Sequence, residues 1–395
     1  MSATPASPAS SDSPDSSGAF VPGPGGSVVV FLEPDAGPAG TAAGSGSGVR
    51  LRVADPRLPA LLVTDQGATR GDGVFETMSA VASAGGPAGV VHGAAAEGLT
   101  SHRVRKEASH LARLASSAEA LEIPLPPTDA WRRAAAAGLA AFARGMPGAD
   151  AVVKLVATRG PEGAPGGGHY VRGAADVGSD GELAETTAPG PQVPAQLTGT
   201  YWVLVSPVSE GMAAARERGL KVLLLDRGFD SGASERAPWL LMGTKSLSYA
   251  VNMAALRFAS SQGADDVIFT SSDGKVLEGP TSTVLMARRV PQADGTHGVE
   301  LVTPLRSSGI LAGTSQGTIF AAAAQAGWAL GYGPLEPADL FDADAVWLVS
   351  SVRLVAPVTH LDGEELPQDA DLTEQLNAFL AEDLAPGDHG PNGAG

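Results

Sequence analysis

Cysteine is absent from the 395 residues, which excludes disulfides, thiolate nucleophiles and cysteine-ligated metals. Aromatic residues make up only 5%, and Lys plus Arg number 26 against 43 Asp plus Glu, a formal net charge of −17. So acidic a chain is a poor match for nucleic acid or for an anionic membrane surface, both of which attract positive charge. No apolar run reaches the roughly 20 residues of a membrane-spanning helix. The opening residues have neither a basic segment nor an apolar one, so they do not read as a secretory signal. The expected location is the cytoplasm, and no metal is expected.

Glycine (51) and proline (30) are plentiful instead, and unevenly spread. Residues 1–26 are mostly Ser, Pro, Ala and Gly and read as a disordered tail, as do residues 385–395. The Gly/Pro-rich stretches 33–48 and 161–199 read as mobile, solvated insertions between paired strands. At this length two domains are expected: an N-terminal α/β unit over 27–208, a linker over 209–216 and a C-terminal unit over 217–384. Residues 27–32, 51–54, 61–64, 74–78, 151–158 and 201–207 have strand character, the last two as hairpin partners. Leu111, Leu114, Ala118 and Leu121 predict a helix over 106–121, on which His110, Arg113 and Ser117 share a face. That face is either simply solvated or a place for an anion, since a guanidinium fork suits phosphate. An alanine-rich helix is expected over 131–144.

Residues 239–283 are the most informative stretch. Leu247, Val251, Ala254, Ala255 and Phe258 have helical spacing, and Gly263 is placed to stop that helix. Residues 267–269 then read as a buried strand and 271–274 as a turn. Lys245 thus sits where an apolar segment enters a helix, and Glu278 at a later strand end. Partial burial of Lys245 between Met242 and Leu247 would lower the pKa of its amine and make it a nucleophile. A surface lysine and a strand-end glutamate fit the same spacing, which does not choose between the two. Farther on, Gly313, Thr314 and Ser315 precede a helix over 317–326, where small residues leave N–H groups open to an anion. An ordinary capped helix fits there too.

Five motifs, in order, resemble those of the fold-type IV pyridoxal-phosphate enzymes. They are Gly71-Asp-Gly-Val-Phe-Glu-Thr77, His110-Leu-Ala-Arg-Leu114, Lys245-Ser-Leu247, Glu278-Gly-Pro-Thr-Ser-Thr283, and Thr303-Pro304 followed by Gly309-Ile-Leu-Ala-Gly-Thr-Ser315. The likeness is greatest toward the actinobacterial 4-amino-4-deoxychorismate lyases of that family, through residues 245–255, 263–269 and 276–280. It implies a two-domain α/β (α+β) fold, D-amino-acid aminotransferase-like, with pyridoxal 5'-phosphate in the interdomain cleft and a homodimer partner closing the site. It implies Lys245 as the covalent anchor and proton-transfer base, and Glu278 as the group that keeps the pyridine nitrogen protonated. Arg113 becomes the phosphate clamp, with Gly313, Thr314 and Ser315 as a cup beside it. Tyr249 is expected either at the phenolic oxygen or packed on a helix, Ser282 and Thr283 at the cofactor, and Arg159 either at the substrate carboxylates or at a solvent-facing strand end, while His110 is expected to be structural.

The chain departs from the family pattern at Thr283, where asparagine is common, and at Ala312, often Pro or Arg. The expected reaction converts a small anionic substrate, aminodeoxychorismate, into 4-aminobenzoate and pyruvate. A D-amino-acid or branched-chain aminotransferase working through the same Lys245 and Glu278 is the alternative. A non-catalytic binding protein would have no need of either residue, and both are present.

Overall fold

Strands of alternating burial, backed by helices with one apolar stripe, account for the first half of the chain. The computed structural model describes residues 26–34, 48–57, 59–82, 102–163, 197–291, 295 and 297–382. The two expected tails, apart from Gly26, and most of both expected insertions lie outside the described residues; Glu33 and Pro34 are the end of the first strand. In chain order come β1 (Val28–Pro34), β2 (Val49–Ala54), α1 (Gln66–Arg70), β3 (Gly73–Ala82), β4 (His102–Val104), α2 (Glu107–Ala120), α3 (Thr128–Gly145), β5 (Ala151–Thr158) and β6 (Thr200–Pro207). These strands form one antiparallel sheet in the order β2-β1-β6-β5-β3-β4.

In β3, Val74, Glu76 and Met78 are buried while Phe75 and Thr77 are only half-buried, the two-residue period of a strand with two different faces. The same alternation in β5 and β6 leaves Val152, Lys154, Leu204 and Ser206 on the second face. The first face is covered by α2 and α3, whose Leu111, Leu114, Trp131, Leu139 and Phe142 are buried in one core. Each such side chain contributes roughly 1.5–3 kcal/mol by leaving water. Residues 61–64 are not a strand. They turn, with Asp65 N–H donating to Leu62 O, and the Asp65 side chain then caps α1 by accepting from Gly67 N–H.

The second half contains α4 (Glu210–Arg218), β7 (Leu220–Asp226), α5 (Ala233–Arg236), α6 (Ala250–Ser261), β8 (Asp266–Thr270), β9 (Thr283–Pro291), β10 (His297–Pro304), α7 (Thr314–Gln325), β11 (Ala329–Gly333), α8 (Pro337–Phe341), β12 (Ala345–Ser350), β13 (Leu354–Leu361), β14 (Glu364–Glu365) and α9 (Ala370–Glu382). Its mixed sheet runs β11-β10-β9-β12-β13-β7-β8, with β14 paired to β13. β7 pairs in parallel with both β8 and β13, and β10 with β11. The chain passes between the sheets through α4, whose Ala215 is buried in the second core. The architecture is the expected mixed α/β arrangement of two sheets with helices.

Two local expectations change. α6 begins at Ala250, so Lys245 is not on the helix; it lies in an extended stretch tied to β3. Of the apolar stripe read along this helix, Val251, Ala254 and Phe258 face outward, Val251 at 60% and Phe258 at 49% exposure, while Ala255 is buried. What α6 buries is Asn252, Ala255 and Ala259. Gly263 does end it, at φ +78°, where a side chain would be strained. Glu278 lies on an irregular segment between the Val276 bridge and β9 instead of on a strand end.

Candidate active site

Lys245 is placed by backbone bonds from both sides. Phe75 N–H donates to Lys245 O at 3.0 Å, and Leu247 N–H donates to Gly73 O at 2.7 Å, so the lysine stretch is an extra, short partner for β3. Its own N–H donates to Ser117 Oγ at 3.3 Å. The side chain enters a cavity of about 820 Å³ walled by both sheets. Its ammonium nitrogen stands 4.7 Å from the centroid of the Phe75 ring. Burial, reinforced by the positive charge of Arg113, pulls the amine down to about 8.

Glu278 faces the same cavity. Its Oε2 accepts from Leu311 N–H at 3.0 Å. Burial pushes its carboxyl above the ordinary range, against the pull of that hydrogen bond and of Arg227, Lys245 and Arg113. A carboxylate in this state gains by meeting a cationic N–H donor. Tyr249 packs edge-on to Phe75 at 5.3 Å and donates its O–H to Pro280 O at 2.6 Å, as does Asn252 Nδ2 at the same distance. Burial, followed by the charge of Glu278, pushes the phenol up to about 12.

Arg113, from α2, grips Glu76 of β3 with two hydrogen bonds of 2.7 and 2.8 Å and donates a third, of 2.7 Å, to Ala312 O. Guanidinium carries five N–H donors, of which this clamp uses three, and Arg113 also lines the cavity. His110 Nδ1 donates at 2.7 Å to Glu76 Oε2, an oxygen that Arg113 also reaches; in the neutral ring, the one lone pair of Nε2 faces the hydroxyls of Thr314 and Ser351 at 3.3 and 3.2 Å, which also bond each other at 3.1 Å. Burial of Glu76 opposes its ionisation, but the hydrogen bonds and charges of Arg113 and His110 outweigh that and hold its carboxyl at about 2. His110 is thus buried and held by Glu76, and it is not among the residues that line the cavity.

Gly313 is the N-cap of α7, and Thr314 and Ser315 open that helix at the cavity wall. A Cβ on Gly313 would lie 2.5 Å from Thr283 Oγ1, so the backbone comes this close only as glycine. Ser282 Oγ is buried without a hydrogen-bond partner among the described residues, and it too lines the cavity. A helix N-terminus with an arginine beside it, an orphaned hydroxyl, a low-pKa amine and a buried carboxylate together fit pyridoxal phosphate: an anion, an aldehyde and a basic ring nitrogen.

Arg159 is the one expected site residue that the structure does not bring to the cavity. Asp72 takes its Nε at 2.6 Å, and the carbonyls of Leu121 and Glu122 at the end of α2 take the rest of the guanidinium. The cations on the wall are Arg113, Lys154, Arg227, Lys245 and Arg353, against Glu278 as the wall's carboxylate. Arg227 donates to Asn252 Oδ1 at 3.2 Å and lies over the Phe269 ring at 4.3 Å. Arg353 is ion-paired with the fully buried Asp266. Arg227, Arg353, Lys154 and Ser351 went unmarked in the sequence. Alternation along β5 is the signal that could have found Lys154, an isolated charge on an otherwise apolar strand.

Residues 73–361 match the family described as Amino-transferase class IV. A bifunctional aminodeoxychorismate lyase / D-amino acid transaminase from Mycobacterium tuberculosis is 37% identical over 316 residues, covering 80% of this chain and 91% of the relative. A fold IV transaminase from Curtobacterium pusillum superimposes with a TM-score of 0.67 at 37% identity, over 90% of this chain and 98% of that one. The pyridoxal-phosphate-bound form of a hypothetical aminotransferase from M. tuberculosis gives 0.66 at 32% identity, with the same coverage. The geometry and these likenesses agree: the chain belongs to the class IV aminotransferase family of fold-type IV enzymes, and its cofactor is pyridoxal phosphate.

Proposed function

We propose that the protein is a 4-amino-4-deoxychorismate lyase that releases 4-aminobenzoate and pyruvate. The observation that carries this reading is the cavity itself. In a chain of net charge −17, the described residues of its wall include five cations, two of them paired with Glu76 and Asp266, and one carboxylate; one of the cations is the amine lowered to about 8. Such a wall suits an anionic substrate that carries its own amine. The M. tuberculosis relative, whose name includes this lyase activity, supports the assignment.

When bound, pyridoxal phosphate supplies an aldehyde that captures amines and a ring that delocalises an electron pair. Lys245 would hold that aldehyde, and its amine, once free, is placed to take the proton from the substrate carbon bearing the nitrogen. Glu278 would hold a proton at the ring nitrogen. Arg113 and the N–H groups of Gly313, Thr314 and Ser315 would hold the phosphate, with the Ser282 and Thr283 hydroxyls adding donors. Tyr249 and Asn252 fix Pro280, and with it the segment from Glu278 to Ser282. Loss of that proton and cleavage of the neighbouring C–O bond release the enolate of pyruvate, which gains a proton at its methylene carbon, and leave an aromatic amine.

We also propose the cleft between a 27–208 unit and a 217–384 unit as the cofactor's place, a cytoplasmic location and a homodimer. Among the described residues no helix is long and apolar enough to cross a membrane. Trp239, at 75% exposure, and Leu240 and Met253 lie both on the cavity wall and at the surface, where a second copy would cover them.

D-amino acid transamination is the second reading, favoured by the other half of that relative's name. The test supplies aminodeoxychorismate generated in situ, without any keto acid, and follows 4-aminobenzoate fluorescence. Product in proportion to enzyme supports the lyase. Cofactor-loaded protein that forms none, yet converts D-amino acids with 2-oxoglutarate, rejects it in favour of the transaminase.

A further inference from the structure

His110 lies buried behind the proposed phosphate seat, and its two ring nitrogens face opposite demands. Nδ1 meets Glu76 Oε2 at 2.7 Å. Against burial, Arg113 and His110 hold that carboxylate at about 2, so it is ionised and only accepts, and Nδ1 must carry a proton. Nε2 meets the hydroxyls of Thr314 at 3.3 Å and Ser351 at 3.2 Å, and these stand 3.1 Å from each other. Both residues reach the cavity wall, Thr314 at the start of α7 and Ser351 in the turn between β12 and β13.

The protons of this triangle can be counted, since each hydroxyl has one to give. With a neutral ring, one goes to Nε2 and the other to the bond between the hydroxyls. Both hydroxyls then turn only lone pairs toward the cavity, which a phosphate dianion would meet as repulsion. With a proton on Nε2 the ring donates into the triangle, one hydroxyl proton is released toward the cavity, and a positive charge stands behind it. The charged groups around the ring are Glu76, Arg113, and Arg105 and Lys106, which border a space of about 10 Å³ beside it together with the apolar Leu354 and Leu380. Among these, Glu76 is the one carboxylate, and Arg113 already shares it. A second buried cation there gains most when a further anion arrives.

We propose that His110 takes up a proton from solvent when the cofactor's phosphate seats beside Thr314 and Ser351, and so acts as the positioning residue that turns a hydroxyl of that pair from acceptor to donor. The inference rests on the reading of the start of α7 as the phosphate seat. It holds for lyase and transaminase alike. The coupling is reciprocal: phosphate favours the proton by the same factor as the proton favours phosphate. This part of the grip is therefore present at low pH and is lost as pH rises and the loaded ring gives up its proton.

The test reads the ring directly, by nitrogen-15 NMR of histidine-labelled protein at pH 8, where an ordinary exposed imidazole is neutral. In the pyridoxal-phosphate-loaded enzyme one ring should carry protons on both nitrogens. Its signal should be missing from His110→Gln and His110→Asn, neutral replacements that keep a donor toward the hydroxyls or toward Glu76. In cofactor-free protein the same ring should show one bare nitrogen. 4-Deoxypyridoxine 5'-phosphate, which has the phosphate and no aldehyde, should restore the second proton, and 4-deoxypyridoxine should not. As the loaded ring loses its proton, the phosphate compound's advantage in affinity should fall about tenfold per pH unit in wild type and stay within about twofold in His110→Gln. A ring that is neutral in the loaded enzyme, or charged with and without phosphate, overturns the proposal. Equal affinity for the two compounds overturns the phosphate seat itself, and the inference with it.

Discussion

At the scale of single residues, the site works by placing charges where water cannot settle them. Among the described residues Lys245 has no carboxylate within ion-pair distance, and burial together with Arg113 lowers its amine to about 8. The neutral amine is the form that attacks an aldehyde, so its share rises with pH through that value. Cofactor-free protein should thus take up pyridoxal phosphate about tenfold faster at pH 9 than at pH 7, then level off. A rate still climbing beyond pH 10, as for an ordinary lysine, would contradict the lowered amine. The sequence made Lys245 and Glu278 legible through motif order alone. What it left hidden was Glu76, which sits inside a quoted motif yet shows its purpose only in three dimensions: it holds Arg113 and His110 in register beneath α7.

At the scale of elements, alternation and helical spacing located most strands and helices, because burial on one face is a local pattern. They failed where neighbours decide. The lysine stretch looks like the start of a helix, but hydrogen bonds to Gly73 and Phe75 hold it extended until Ala250. Along α6 the spacing of Val251 and Phe258 is helical as read, and the structure turns these two outward; of the stripe Ala255 alone faces in, beside Asn252 and Ala259. Periodicity reports a stripe, not what covers it. If a second copy covers this one, the Val251→Glu/Phe258→Glu protein should fold normally, since both sites are exposed. Light scattering should find it at the 39.6 kDa of one chain, with wild type at twice that mass. Wild type at the single-chain mass would sink the homodimer.

At the scale of the whole molecule, two sheets divide the work around one cavity. The N-terminal sheet supplies Phe75, Lys154 and, through α2, Arg113. The rest of the chain supplies Lys245, Glu278 and the start of α7. The net charge of −17 does nothing to attract an anionic ligand. The cavity reverses that sign locally, a concentration of charge that no count along the sequence reveals.

Two lysines share this cavity, and only one of them should bond the cofactor. The direct measurement is borohydride reduction of the pyridoxal-phosphate-loaded protein, which fixes the lysine–cofactor bond, followed by peptide mapping in a mass spectrometer. A single phosphopyridoxyl adduct on Lys245 is the expected result, absent from Lys245→Ala. An adduct on Lys154, or none on Lys245, would contradict the assignment on which the whole scheme stands.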